Sequence, residues 1–215
     1  MKTTTPSIAA SPQAPPTGRR RPGRPPGNTR ERILDAAIEV LKSDGYAGLT
    51  ISKIAARSNQ NKALVAYHFG SKRGLVEHAG RAIAEMITNE AVKHLEGATR
   101  VADVVRGALD GIGSVLASDE RIARVYFDLT AVTVVDDELR RAMYEVRNAW
   151  AKLFEGYLAA TDDGPDAEAA GAAALYVIAC LEGLTLERLS SGESANLSAA
   201  RTMFIESAKT IVGGR

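Results

Sequence analysis

The chain has 215 residues, of which 45% are apolar and 25% charged, so it is long enough for one medium folded domain or two small ones. It contains no run of about 18 apolar residues, no apolar leader segment and only one cysteine, so we expect a soluble cytoplasmic protein without a disulfide and without membrane contact. Residues 1–80 hold 13 Lys and Arg against 5 Asp and Glu, a net +8, and residues 81–215 hold 14 against 21, a net −7. This asymmetry indicates a polyanionic partner for the N-terminal part.

Residues 1–27 are rich in Pro, Ser, Thr and Arg, and no acidic residue occurs before Glu31. This composition predicts a disordered segment, because it cannot bury a core. Two interpretations stay open: a solvated tail, or a basic arm that lies in a DNA groove. The arginines of the arm interpretation are Arg19, Arg20, Arg21 and Arg24.

The first helix is predicted from Asn28, which forms a capping box with Glu31 three residues later. Apolar residues follow at helical spacing, namely Ile33, Ala37, Val40 and Leu41. Gly45 is expected to end this helix. Because only Pro165 interrupts the chain after residue 27, the whole folded part is predicted to be all-α.

Thr50 is predicted to cap a short second helix, and Asn61 a third helix over about residues 62–68. Residues 58–61 form the turn between them, and Ser71 caps a fourth helix that runs to about Leu95. Two short helices joined by such a turn predict a helix-turn-helix, whose second helix enters the major groove of DNA.

The third helix begins and ends with polar side chains that suit this role. Tyr67 and His68 lie one to two turns further along, where a phosphate strand would pass. The candidates for base contact are Asn61, Lys62, Ala63 and Leu64, the last of which could instead pack on the core.

Residues 29–79 resemble the DNA-binding domain of TetR-family transcriptional regulators. The features of the resemblance are Ile33–Ala37, Gly45–Tyr46, Leu49–Thr50, Ile54–Ala55, Tyr67–Phe69, Ser71–Lys72 and Leu75. They occur in the family's order and spacing over about fifty residues. Beyond them, the chain resembles the family only in having an all-helical C-terminal half of suitable length.

The resemblance implies a role for each matching position. Thr50 and Ser52 contact the DNA backbone, Lys62 and its neighbours contact bases, and Tyr67, His68 and Lys72 contact phosphates. The sequence departs from the family pattern in the turn, where Asn59–Asn61 replaces Gly-Val-Ser, and at Ala66, where a tyrosine is usual.

The C-terminal half is predicted to contain helices over residues 101–118, 119–134, 136–160, 166–191 and 197–212. The helix over 166–191 is rich in Ala and Gly, and the resemblance implies that the last two helices pair across a two-fold axis. The alternative is an ordinary core helix. The proposed interface residues are Tyr176, Cys180, Gly183, Leu184, Glu187 and Phe204.

The middle helices carry most of the aromatic residues, and the resemblance implies that they enclose a small-molecule pocket. The candidate lining residues are Phe127, Asp128, Thr130, Arg147, Trp150, Tyr176 and Glu182. Aromatic residues at helical spacing are also typical of a simple core, so this alternative stays open.

Catalytic motifs are absent from the sequence, which has three histidines and no metal-ligand or phosphate-loop pattern. The pairs Asp136–Asp137 and Asp162–Asp163 stand at predicted helix starts, where capping explains them. We therefore expect no enzyme, no catalytic residue, no metal and no cofactor.

The sequence predicts an all-α protein with a basic arm over residues 1–27. A helix-turn-helix domain of three short helices follows over 28–80, and a helical ligand-binding and dimerisation domain over 81–215. The expected function is that of a homodimeric regulator, more a repressor than an activator, which a small molecule releases from a palindromic DNA operator. The alternatives are a non-specific or architectural DNA-binding protein and an activator of the same fold.

Overall fold

The structure is a computed structural model that describes residues 29–212, except for the side chain of Ala142. Within this part the chain is helical and forms no strand. The helices are α1 (Thr29–Gly48), α2 (Ile51–Ser58), α3 (Lys62–Phe69), α4 (Lys72–Lys93), α5 (Val101–Thr133), α6 (Asp137–Ala159), α7 (Ala170–Ser191) and α8 (Ala195–Ile211). The all-α prediction is confirmed.

The starts of α2, α3 and α4 are fixed by local hydrogen bonds at the predicted caps. Thr50 Oγ1 accepts from the Lys53 backbone N–H at 3.3 Å, and Ser71 Oγ accepts from that of Gly74 at 3.1 Å. Asn59 adopts the left-handed conformation with φ 52°, which an asparagine tolerates better than most side chains and which turns the chain sharply between α2 and α3. The predicted helix-turn-helix is confirmed.

Helix α1 contains a break at Gly45, whose φ of 68° is in the region that favours glycine. Gly45 was expected to end the helix; the helical geometry breaks there, but a further turn continues to Gly48. Asn28, the predicted cap, lies outside the described residues.

Helix α5 bends at Asp119, which has non-helical φ and ψ angles of −159° and 94°. The predicted boundary between residues 118 and 119 is therefore a kink inside one element rather than a loop. The Asp119 carboxylate pairs with Arg121 at 2.8 Å and with Lys42 of α1 at 3.3 Å. Its pKa is well below the usual range because of the Arg121 hydrogen bond, which together with Lys42 outweighs partial desolvation.

Two predictions about the loop before α7 were wrong. The helix expected from residue 166 begins at Ala170. Asp166 lies ahead of it, in a turn where its carboxylate accepts from the Glu168 and Ala169 backbone N–H groups. Asp163 caps a helix 62 residues away in the chain, since its carboxylate accepts from the Val101 N–H at 2.8 Å. That hydrogen bond also lowers the pKa of Asp163.

The buried apolar residues form two clusters. The first joins α1–α4 to parts of α5 and α6, and the second joins Leu95, just after α4, to α5, α6, α7 and α8. Trp150 of α6 packs against both clusters. The proposed domain boundary at residue 80 falls inside α4, so this helix links the helix-turn-helix to the rest of the protein.

Helix α7 is the one helix among residues 29–212 whose length and apolar composition would allow it to cross a membrane. One such helix is weak support for a membrane span, because the apolar helices of a packed core have the same composition. Seven of its residues, including Ala174, Val177 and Leu181, are buried inside the protomer.

Candidate functional site

Helix α3 is held by two apolar side chains and presents the rest of its surface outward. Val65 and Phe69 are buried in the first cluster, and Leu64 is half-buried against it. The exposed residues of the helix and its cap are Asn61, Lys62, Ala63, Ala66 and Tyr67. The two buried anchors fix which side of the short helix points away from the protein.

Tyr67 is unusual in being 82% exposed, although it is a large aromatic residue on a packed helix. Its ring stands edge-on to that of the half-buried His68, with the centroids 5.2 Å apart. The structure therefore holds a phenol hydroxyl out in solvent, one turn beyond Lys62, where it can donate a hydrogen bond to a phosphate.

The other predicted DNA-contacting residues surround α3. Thr50 and Ser52 at the start of α2 are exposed. Asn61 Oδ1 accepts from the Leu64 N–H at 2.8 Å, so its oxygen fixes the helix start and its amide N–H groups are the donors it can offer a ligand. The four arginines Arg19, Arg20, Arg21 and Arg24 lie outside the described residues.

Lys72 lies at the start of α4 against the corner that Gly45 makes in α1. Its Nζ is 3.4 Å from the Tyr46 carbonyl oxygen and 4.7 Å from the centre of the Tyr46 ring. On the other side of this corner, the Asp128 carboxylate of α5 accepts from the Tyr46 N–H at 2.6 Å. This contact joins α5 directly to the DNA-binding helices.

A cavity of about 60 Å³ lies among α4, α5, α6 and α7. Its walls are almost wholly apolar and include the aromatic residues Tyr126, Phe127, Trp150 and Phe154. The polar residues of the lining are Thr88, Glu182 and Thr185, together with the Tyr126 hydroxyl. Such a lining suits an apolar small molecule that carries one or two polar groups.

Glu182 is the only carboxylate in the cavity lining, and two neighbouring side chains bond it. The Tyr126 hydroxyl donates to Glu182 Oε1 at 2.5 Å, and Arg147 pairs with the same oxygen at 2.5 Å. Burial, followed by the negative charge of Glu182, raises the pKa of Tyr126, so the phenol is a neutral donor. Burial opposes the charge of Arg147, but its hydrogen bond to Glu182 outweighs this and raises the pKa of Arg147.

Three of the seven predicted ligand residues, Phe127, Trp150 and Glu182, line this cavity. Arg147 is not part of the lining but bonds Glu182 from the side. The other three make contacts elsewhere. Asp128 faces α1, Thr130 donates to the Tyr126 carbonyl within its own helix, and the Tyr176 hydroxyl is 3.2 Å from Ser207 Oγ of α8.

Sequence reasoning did not select Tyr126 or Thr88 as ligand residues. Tyr126 belongs to the aromatic group of the middle helices, and only its packing separates it from the others. Thr88 gave no signal, because a single threonine in an amphipathic helix is unremarkable until its partner is known. That partner is Trp150, whose Nε1–H donates to Thr88 Oγ1 at 2.6 Å.

The outer side of α7 and α8 carries several large exposed apolar residues among polar ones. Leu175 is 59% exposed, Leu186 49% and Met203 72%. Of the predicted interface residues, Gly183 and Glu187 are exposed and Tyr176, Cys180 and Leu184 are half-buried. Phe204 is buried against Tyr176 inside the protomer, so we leave it out of the proposed interface.

A helix-turn-helix with an outward-facing second helix, joined to a helical body, is the architecture of a DNA-binding transcriptional regulator. Comparison with known proteins supports the same class of protein. Residues 33–79 match the family described as bacterial regulatory proteins, tetR family. The chain is 29% identical to the HTH-type transcriptional regulator LmrA of Bacillus subtilis (strain 168) over 174 residues, which cover 80% of this chain and 92% of that protein.

Two further similarities bear on function. The HTH-type transcriptional repressor Rv3405c of Mycobacterium tuberculosis is 38% identical over 89 residues, 40% of this chain and 43% of that protein. The crystal structure of the multidrug binding protein EbrR complexed with imidazole superposes with a TM-score of 0.65 at 25% identity, covering 85% of this chain and 95% of that one. These similarities support a TetR-family transcriptional regulator.

Proposed function

We propose that the protein is a homodimeric repressor that binds a palindromic DNA operator and is released from it by a small apolar molecule. The exposed face of α3 carries the proposal, because it holds Lys62 and the 82% exposed Tyr67 outward on a helix that Val65 and Phe69 anchor. An exposed phenol and an exposed lysine on one short helix can both donate hydrogen bonds in a phosphate-lined groove.

The DNA contacts are assigned by position on this surface. Lys62 and Ala63, with Asn61 and Leu64 beside them, face the base edges at the groove-entering end of α3. The residues assigned to phosphates and the backbone are Thr50, Ser52, Tyr67, His68 and Lys72. Residues 28–80 act as the DNA-binding domain and residues 81–215 as the ligand-binding and dimerisation domain, with α4 common to both.

The dimer is proposed to form through the apolar outer side of α7 and α8. An exposed leucine or methionine costs free energy in water, and burying several of them against a second copy recovers about 25 cal/mol per Å². The stripe along α7 combines Leu175 and Leu186 with the small Gly183, which would let two helices approach closely. A two-fold dimer places two copies of α3 on half-sites about 34–36 Å apart, or a multiple of it.

The effector is proposed to bind the cavity among α4, α5, α6 and α7. EbrR, a multidrug binding protein with the same fold whose structure is complexed with imidazole, supports a small-molecule effector. The Glu182 carboxylate favours an effector with a hydrogen-bond-donating group, although its charge is already paired with Arg147. The resemblance to a repressor, Rv3405c, supports the direction of control.

Release requires that the effector bind the DNA-incompetent conformation more tightly than the competent one. Two elements connect the cavity to the DNA-binding helices. Helix α4 lines the cavity with Ile87 and Thr88 and begins beside α3. Helix α5 lines it with Phe127 and holds the Tyr46 N–H through the adjacent Asp128.

Selection of binding sites from random duplex DNA tests the DNA-binding part of the proposal. A single palindromic consensus is expected, protected as one footprint, whereas equal coverage of all duplexes would favour an architectural role. Transcription from a promoter that carries the selected site, with and without the protein, then separates a repressor from an activator. A compound library screened for release from that site would identify the effector, and imidazole is a suitable first compound.

A further inference from the structure

The effector cavity adjoins a larger groove on the surface between α4 and α6. The cavity measures about 60 Å³ and the groove about 360 Å³. Thr88, Trp150 and Leu153 line both. These three side chains therefore form the wall that the cavity and the groove share.

The inner cavity is too small for a typical effector in this conformation. A volume of about 60 Å³ holds a few water molecules, whereas sites for drug-sized ligands measure roughly 300–1,000 Å³. An effector can fit only if a wall moves. Joining the cavity to the groove through the shared wall supplies volume of the required size.

One hydrogen bond spans this wall. Trp150 Nε1–H of α6 donates to Thr88 Oγ1 of α4 at 2.6 Å, and the Thr88 hydroxyl donates in turn to the Ala84 carbonyl at 2.8 Å. On its inner side the Trp150 ring packs on Tyr126, with the centroids 5.0 Å apart. Trp150 is half-buried, so a rotation toward the groove would expose it without unpacking a fully buried side chain.

We propose that the α4–α6 groove is the entrance to the effector cavity and that the Thr88–Trp150 hydrogen bond is its closed gate. The inference rests on the proposed function, since it concerns the same cavity. Opening the gate separates Trp150 from α4, the helix that links the cavity to the DNA-binding domain. Entry of the effector therefore acts on α4 at the moment of binding.

A second groove is the rival entrance. It measures about 380 Å³, lies among α5, α7 and α8, and shares Ile112 and Thr185 with the cavity. Its mouth carries Arg188 and Arg201, both paired with Glu193 at 3.1 and 2.8 Å. Because α7 and α8 also form the proposed dimer surface, a second copy would restrict access from this side.

The sequence contains a single tryptophan, so its fluorescence reports the gate directly. The experiment measures quenching by acrylamide, a small neutral solute, on the dimeric full-length protein without effector or DNA. Thr88→Val keeps the size of the side chain and removes the acceptor. The quenching constant is expected to rise about twofold or more, because losing one net hydrogen bond favours the open gate by a factor of about 2–10.

Thr133→Val is the matched control, because Thr133 lines neither the cavity nor either groove. Thr133 is half-buried and its hydroxyl also donates to a carbonyl of its own helix, that of Thr130 at 2.7 Å. It makes no hydrogen bond to Trp150 among the described contacts. Its quenching constant should equal that of the wild type. Equal constants for Thr88→Val and the wild type would overturn the gate.

Two substitutions that fill the grooves distinguish the entrances. Ala149 is exposed in the α4–α6 groove, and Gly113 lines the rival groove with no atom within 4 Å of the position of a Cβ. Ala149→Phe should lower the quenching constant by about half, because the ring covers the path to Trp150, whereas Gly113→Phe should leave it unchanged.

The opposite pattern, with protection only by Gly113→Phe, would place the entrance among α5, α7 and α8 and overturn the proposal. Circular dichroism of each variant checks that the helices are intact. Because quenching requires neither effector nor operator, failure of the regulatory proposal would be seen in the release assay and not here.

Discussion

The surface of α3 and the surface of α7–α8 are both exposed in the single chain, but their chemistry differs. The α3 surface presents Lys62, Tyr67 and amide groups, with apolar side chains turned inward. The α7–α8 surface presents Leu175, Leu186 and Met203. A polar, cationic surface remains stable in water until a polyanion arrives, whereas an apolar surface of this kind lowers its free energy by meeting a second protein surface.

The difference predicts which partner each surface takes and how the two associations respond to salt. Binding through lysine and arginine weakens steeply as salt rises, because DNA releases its condensed counterions. Association of apolar helices is insensitive to salt by comparison. A protein built from both surfaces should lose DNA at high salt while remaining a dimer.

The largest expected effect comes from enlarging the α7 stripe at Gly183. A side chain there meets no atom within 4 Å in the single chain, so Gly183→Leu does not disturb the protomer. In the proposed dimer it forces two helices apart and should cost about 1–3 kcal/mol per chain. Light scattering should show dissociation at micromolar concentration.

The same substitution should leave the isolated protomer as stable as before, or about 1 kcal/mol more stable, because leucine favours a helix over glycine. Gly113→Leu, at a similarly open helical glycine in α5, is the control and should remain dimeric. A wild-type protein that is monomeric at this concentration would contradict the assignment of the α7–α8 surface.

Lys62→Ala tests whether the α3 surface reads sequence or only charge. Loss of a base contact should cost about 1–3 kcal/mol at one position of the operator and relax the preference there. Site selection with the variant measures this. Lys152→Ala, on α6 and paired with Glu155, removes the same charge far from α3 and should keep the wild-type preference. An unchanged preference for Lys62→Ala would exclude the base-reading role.

Tyr67→Phe removes only the phenol hydroxyl and should weaken all sites equally, by about 0.5–1.5 kcal/mol. The variant protein keeps the aromatic ring and its edge-on contact with His68. Fluorescence anisotropy with the selected operator and with a mutated operator gives the comparison. A loss restricted to one operator would mean that Tyr67 contacts a base.

The smallest expected effect concerns Asp119, at the kink in α5, which pairs with Lys42 of the DNA-binding half. The pKa of Asp119 is lowered on folding, so its stabilising effect is present above the unfolded pKa of about 3.9 and is lost as pH falls below it toward the folded pKa. The destabilisation caused by Asp119→Asn should therefore be greater at pH 7 than at pH 3. Urea unfolding of both proteins at the two pH values measures it, and an equal difference at both would refute it.

Several features of the fold could be predicted because neighbouring residues determine them. Thr50 and Ser71 each bond an N–H three residues later, and Asn59 needs only its own tolerance of positive φ. Neighbouring residues determine interactions of this range, so the helix-turn-helix, a break at residues 118–119 and the positions of most helix ends followed from the sequence.

Other contacts depend on the tertiary structure, because they join residues that are far apart in the chain. Asp128 was expected in the ligand pocket, but it faces α1 and bonds Tyr46, 82 residues away. Asp163 was expected to cap its own helix but caps α5. Neighbouring positions on a helix differ by about 100° in direction, so only the packing decides whether Phe127 or Asp128 faces the cavity.

The sequence by itself determined the all-α fold and the helix-turn-helix, since both follow from short-range caps, turns and helical periodicity. The tertiary structure decided which side chains share the cavity, that Trp150 bonds Thr88 beside it, and that Phe204 is buried within the protomer. The physical reason is that helix formation depends on contacts within one turn, whereas a cavity or an exposed surface is defined only by how whole helices pack together.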